Sequence, residues 1–258
     1  MAQPIKAVLF DWGETLVLIP GMIHSAERHL ACLEKLYFEP RAHDSFRGLQ
    51  DYGIPWPEFR TAYLAATREQ ISRSAATRRE HRFEDRFLSA LRLAGLREIP
   101  QESDLSDVVA RFGRYIAAEA EIIDGAVEVV SDLARDVRLG LVSNYPYAPV
   151  VSATLERFGL RQYFSVLVVS GDLGWLKPHP DVYRTALESI GTRPEETVFV
   201  GDDLENDVKG PKALGFCTAW ITRGQPQRPH PDADVQLSDL RELQRWCAAC
   251  LNLRQEIS

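Results

Sequence analysis

The sequence predicts an α/β protein: a parallel sheet core interrupted once by an all-helical insert. Three observations carry this. Short apolar runs of strand length recur through the chain, they alternate with amphipathic stretches of about ten residues, and one long segment contains helical stripes but no strand. The chain has 258 residues, 45% hydrophobic and 26% charged, which excludes a disordered, fibrous or coiled-coil chain and suits one large domain or a core with an insert.

The runs are 6–10 (KAVLF), 138–142 (RLGLV), 165–169 (SVLVV), 197–200 (TVFV) and 216–221 (FCTAWI). Their hydrophobicity is continuous rather than alternating, as strands buried on both faces of a parallel sheet require. Helices are expected at 126–135, 149–158, 180–190 and 205–214, and a last one at 238–251 with Leu240, Leu243, Cys247 and Cys250 on one face. From 18 to 121 the periodicity is helical instead. Its stripes are Leu30, Leu33 and Leu36/Tyr37; Phe59, Tyr63 and Leu64; Phe83, Phe87 and Leu91; and Val108, Val109, Phe112 and Ile116. The stretch 51–57 (DYGIPWP) breaks two of these helices apart, and the turn at 123–125 closes the insert. The expected division is a core of 1–17 and 122–258 with an inserted helical domain of 18–121.

A formal charge of −7 argues against nucleic-acid or membrane partners, and neither a signal-peptide core nor a membrane-length apolar segment is expected. Four scattered cysteines do not make a disulfide scaffold, so a cytoplasmic protein is expected. Cys247-x-x-Cys250 falls on the buried helical stripe and has no second pair to complete a zinc site.

Ligands of open parallel sheets bind beyond the carboxyl ends of the strands. Four such ends here carry polar residues: Asp11, Gly13, Glu14 and Thr15 after the first run, Ser143 and Asn144 after the second, Lys177 after the third, and Asp202, Asp203 and Asp207 after the fourth. Singly each has an ordinary explanation as a cap, a turn residue or a solvated charge. Jointly they would converge on one pocket. Clustered carboxylates repel without a cation, and hard oxygen ligands point to Mg²⁺.

The ordered set resembles the haloacid dehalogenase superfamily, over essentially the whole chain. The stretches SNYPY, KPHPDVY, VFVGDDLENDV and GFCTAW look most like the subfamily with a helical cap after its first motif. The resemblance implies a Rossmann-like core with a cap domain, and a Mg²⁺-dependent hydrolase, above all a phosphatase, for a small phosphorylated or otherwise anionic substrate. It puts Asp11 in line as nucleophile. Ser143, with Thr15 and Asn144, would bind substrate, and Lys177 would neutralise charge on Asp11 and the transferring group. Asp11, the Gly13 carbonyl, Asp202 and Asp207 would serve the metal, with Asp207 either ligating directly or orienting Lys177.

The family's phosphatases carry a second Asp, a general acid, where this chain has Gly13. A hydrogen cannot donate a proton, so three readings stay open. In the first, a phosphatase takes its proton from elsewhere: His24 or His29 could reach in, whereas Glu14 would point away if the local chain were extended. The second is a phosphonatase-like C–P hydrolase, suggested by the DWGET start, for which Lys35 is the single lysine between 18 and 121. The third is a catalytically degenerate binding protein on the same fold. Dehalogenase chemistry proper is opposed by Asp202, Asp203 and Asp207. Substrate choice would rest on the insert, where nine arginines against four acidic residues between 60 and 97 leave a local +5. One or two of those arginines could hold an anionic group. The oligomeric state is not legible.

Overall fold

A computed structural model describes residues 4–19, 26–39, 47–225 and 228–252. The chain opens with β1 (Ala7–Phe10) and a two-residue strand β2 (Val17–Leu18), then enters four helices: α1 (Ala26–Phe38), α2 (Trp56–Thr77), α3 (Phe83–Leu93) and α4 (Glu102–Glu119). It leaves them through β3 (Glu121–Ile122), which pairs antiparallel with β2, so the two ends of the helical insertion meet in one short ribbon. The alternating part follows: α5 (Ala126–Leu133), β4 (Arg138–Ser143), α6 (Ala148–Arg157), β5 (Phe164–Val169), α7 (Ser170–Leu173), α8 (Pro180–Ile190) and β6 (Thr197–Gly201). After β6 come a π-helical turn at Leu204–Lys209, α9 (Gly210–Lys212), β7 (Cys217–Ile221), β8 (Val235–Leu237) and α10 (Arg241–Asn252).

Six strands form one parallel sheet in the order β5-β4-β1-β6-β7-β8. Successive side chains of β1 point to opposite faces. Val8 and Phe10 join the larger core with α5, α6, α10 and the insertion, while Ala7 and Leu9 join a second core under α8. Burial on both faces is the reason these strands read as continuous apolar runs. Inside the insertion, Tyr63, Phe83, Phe87 and Phe112 form an aromatic cluster with centroid separations of 5.3 to 6.1 Å. That cluster belongs to the same continuous core as Phe10, so the helices lean on the sheet.

Two features differ from the sequence expectation. β8 extends the sheet where the pattern predicts no strand, because an edge strand of three residues (VQL) carries no readable apolar run. The expected helix at 205–214 is instead a π-helical turn followed by the three residues of α9.

The topology places the site. From β1 the chain goes to β4 and β5 on one side, then crosses back to β6 on the other. The crevice lies where the strand order reverses, at the carboxyl ends of β4, β1 and β6.

Candidate active site

β1 ends against its neighbours with Phe10 opposite Leu141 and Val200, and the Asp11 amide donates to the Val200 carbonyl at 2.8 Å. Asp11 therefore enters the crevice beside Val142 and Gly201, next to Ser143-Asn144 at the end of β4 and Asp202 just after β6. The turn after it is locked from both sides. The Leu16 and Val17 amides both donate to the Trp12 carbonyl at 3.0 Å, and the Trp12 indole donates to Thr154 Oγ1 at 3.1 Å.

That turn contradicts the extended chain assumed around Glu14. Glu14 sits in the left-handed region at φ 60°, its side chain is buried, and its carboxylate lies 2.5 Å from the Arg223 guanidinium. It lines the same cavity of about 110 Å³ as Asp11, Gly13, Ser143, Lys177 and Asp202. Arg223 is itself left-handed, at φ 49°. Such backbone positions cost about 1–3 kcal/mol and gather at functional sites. Sequence reasoning misses Arg223, since a lone arginine after an apolar run carries no motif.

Carboxyl oxygens of Asp11, Asp202 and Asp207 lie within 4.8 Å of one another. The buried Lys177 ammonium donates to Asp11 Oδ1 at 2.6 Å, to Asp207 Oδ1 at 2.7 Å and to the Val142 carbonyl at 3.0 Å. Thr15 Oγ1 donates to Asp202 Oδ1 at 3.2 Å and stands 3.5 Å from Asp11 Oδ2. Asn144 spends its side-chain amide on the lysine's own backbone: Oδ1 accepts from Lys177 N at 2.7 Å, and Nδ2 donates to Lys177 O at 3.1 Å. Lys177 is thus held at both its backbone and its charged tip.

Burial works against the charged form of Lys177, but the charges of Asp11 and Asp207 and their hydrogen bonds outweigh it and hold its pKa above the ordinary lysine value. Burial, followed by the charge of Asp11, pushes the Asp202 carboxyl up to about 7. Burial likewise raises the Asp207 carboxyl, with the neighbouring Asp11 and Asp202 adding to it and Lys177 opposing. One lysine does not balance three carboxylates. The surplus of hard oxygen donors fits a small divalent cation such as Mg²⁺.

The π-helical turn delivers Asp207. Asp203 caps it by accepting from Asn206 N at 2.8 Å, and Asp207 Oδ2 accepts from Asp203 N at 3.0 Å. Such turns recur at functional sites. Gly201 makes room: a Cβ there would stand 2.3 Å from the Asp207 carboxyl. Gly201→Ala must displace Asp207 and is expected to cost about 1–3 kcal/mol. For a chain of this size that is a melting temperature lower by roughly 5 °C. A variant melting with the parent would show the approach to be looser than this.

The alternative proton and Schiff-base candidates lie elsewhere. His29 is within the insertion, its Nε2 3.1 Å from Tyr63 Oη and its ring edge-on to Phe112. Lys35 is exposed and paired with Glu119 at 2.8 Å. His24 is outside the described residues, as is the Cys250 side chain; Cys247 is buried, as its stripe predicts. His179 caps α8 and stacks on Trp175 with centroids 3.8 Å apart.

The insertion touches the segment that carries Lys177. Leu176 N donates to Arg78 O at 3.0 Å, Glu80 N donates to Gly174 O at 3.1 Å, and Arg79 lies 3.4 Å over the Trp175 ring. Ser170 Oγ also donates to Glu80 Oε2 at 2.7 Å.

Fold and site together define a class of protein: a doubly covered parallel sheet that gathers an acid cluster and a buried lysine at its switch point, with a helical insertion bound over the lysine segment. A family model for haloacid dehalogenase-like hydrolases matches residues 5–215, and the chain belongs to that family. It is 40% identical over 86 residues to a phosphoserine phosphatase of Thermus thermophilus, covering 33% of this chain and 34% of that protein. Across the first curated relatives it matches, the chain spans between 34% and 60% of their length. Among solved structures it is similar to a HAD phosphatase from Thermococcus onnurineus (TM-score 0.63, 25% identity, 94% of this chain and 97% of that one). It is also similar in fold to a 2-haloacid dehalogenase from Pseudomonas syringae pv. Tomato DC3000 (TM-score 0.69, 22% identity, 95% and 99%). No helix among the described residues is long and apolar enough to cross a membrane.

Proposed function

We propose that the protein is a Mg²⁺-dependent phosphatase acting on small phosphorylated metabolites, with Asp11 as nucleophile and residues 18–121 serving as a cap domain over a core of 1–17 and 122–258. A cytoplasmic location is part of the same reading. The single observation that carries it is the acid cluster of Asp11, Asp202 and Asp207 within 4.8 Å, bridged by Lys177. In this reading Asp11, the Gly13 carbonyl and Asp202 hold the cation, while Asp207, with both oxygens already engaged, orients Lys177. A cation bound there would neutralise charge on the transferring group.

The chain's own groups then do the following. An Asp11 carboxylate oxygen forms a bond to phosphorus as the bond to the leaving oxygen breaks. Lys177 lowers the repulsion between the two anions, and Ser143, at the cavity wall, donates to a phosphoryl oxygen. Water then splits the aspartyl-phosphate, releasing inorganic phosphate and restoring Asp11. Nothing at Gly13 protonates the leaving oxygen, so good leaving groups are favoured. The exposed pairing of Lys35 with Glu119 weighs against the C–P hydrolase alternative.

The test is phosphate release from 4-nitrophenyl phosphate, whose phenolate departs without a proton. Turnover that requires Mg²⁺ and stops on chelation is expected; no release with Mg²⁺ present would leave the degenerate binding protein as the better reading. Gly13→Asp should restore a proton donor and raise the rate on alkyl phosphates by about 10²–10⁴-fold, with a much smaller gain on the aryl ester. Equal gains on both would remove leaving-group protonation as the missing function.

A further inference from the structure

Beside the catalytic cavity lies a second one of about 270 Å³, sharing Asn144, Lys177 and Asn206 with it and roofed by the C-terminal half of α2 and the start of α3. We infer that this cavity receives an oxyanion borne by the leaving group, so that the substrates are small phosphomonoesters carrying a carboxylate or a second phosphoryl group. The inference rests on the phosphatase reading above and adds to it the class of substrate.

Of the nine arginines between 60 and 97, the cavity selects two, Arg78 and Arg86. Arg86 is aligned before any ligand arrives. Its Nε donates to Gln70 Oε1 at 2.6 Å, and its guanidinium lies 4.6 Å over the Phe83 ring. Gln70 is itself fixed, because its Nε2 donates to the His81 and Arg82 carbonyls at 3.2 and 3.1 Å. A buried amide that presents a guanidinium is an expensive arrangement for a surface charge, but it suits bidentate capture of a planar oxyanion.

Arg78 ends α2 in the left-handed conformation at φ 56°, held there by its amide on the Ser74 carbonyl at 2.8 Å and by its own carbonyl on Leu176 N at 3.0 Å. Independently, Ser74 belongs to the cavity lining, and its buried hydroxyl has no hydrogen-bond partner among the described residues. A buried unpaired hydroxyl is destabilising unless something else satisfies it, and a ligand oxygen would.

The one acid in the wall, Glu80, offsets part of the Arg86 charge but spends its hydrogen bonds elsewhere. Its oxygens accept from Ser170 Oγ at 2.7 Å and from His81 N at 3.0 Å. The volume limits the leaving group to a few carbons plus the oxyanion, near the lower end of small-molecule pockets.

The test is calorimetric binding of phosphonates, whose P–C bond resists phosphatase action, to the full chain with Mg²⁺. Phosphonopropionate and ethylene bisphosphonate should each bind about 10- to 100-fold tighter than propylphosphonate, which matches the first in size but lacks the charge. Whichever charged probe binds tighter identifies the source of the oxyanion. Arg86→Met and Arg78→Gly should each remove about tenfold of that preference, and Arg92→Ala, on an exposed part of α3, should keep it. Arg78→Gly also relieves a left-handed residue, so its fold is secure if Arg86→Met proves unstable. Equal affinity for propylphosphonate and the charged probes, or a preference surviving in both variants, would overturn the inference. Failure of Mg²⁺-dependent aryl phosphate release would overturn the phosphatase reading instead, whatever the binding data show.

Discussion

Asp11→Asn is expected to lower turnover of 4-nitrophenyl phosphate by about 10⁴-fold or more while leaving the protein folded. The kinetic part follows from the role: an amide oxygen is a poor nucleophile towards phosphorus and forms no acyl phosphate. The structural part follows from the charge balance. Asp11 is one of three clustered carboxylates sharing a single lysine, and its loss leaves Lys177 paired with Asp207 at 2.7 Å and still bonded to the Val142 carbonyl. Removing a repelling charge from Asp202, whose carboxyl is pushed up to about 7 by burial and then by Asp11, offsets the lost ion pair. Melting and turnover should therefore separate: the variant unfolds near the parent's temperature and is inactive. Turnover within tenfold of the parent would mean that phosphorus is attacked by some other group.

Lys177→Met should do both kinds of damage. The side chain is 2% exposed and its ammonium is the cation between Asp11 and Asp207. Methionine fills similar space but leaves two buried carboxylates facing each other unneutralised, a change that costs about 3–5 kcal/mol. In a chain of this size the melting temperature should fall by roughly 10 °C. Turnover should fall by about 10²–10³-fold or more, since a positive charge aimed at the reacting group is gone. Mg²⁺ should recover part of the stability, because in the proposed reading Asp11 would help to hold it in the folded state alone, but not the rate. A variant that melts with the parent, or whose rate returns on adding Mg²⁺, would show that the lysine is not needed where it lies.

Much of the sheet was legible because both of its faces are buried, which turns strands into uninterrupted apolar runs such as 197–200. Where that condition fails, so does the reading. β8 is an edge strand of three residues with Gln236 at its centre. The π-helical turn at Leu204–Lys209 lasts too briefly for its longer period to show against a helical one. Glu14 illustrates a third cause. Residue type gave no sign of its left-handed backbone, which is set by hydrogen bonds from Leu16 and Val17 back to Trp12. The acids and the lysine were readable from their places after successive strands, but that Asn144, expected at the substrate, also holds the lysine's backbone was not.

The amino-acid sequence by itself determined the parallel α/β core, the helical insertion and the polar residues at four strand ends, because these depend on local periodicity and on side chains near in the chain. The tertiary structure decided which of those residues share a cavity, that Lys177 lies between Asp11 and Asp207, and that two of nine arginines border the space beside it. Those relations join residues as far apart as Asp11 and Asp207 through a crossover from one side of β1 to the other, and no local pattern encodes a distance of that kind.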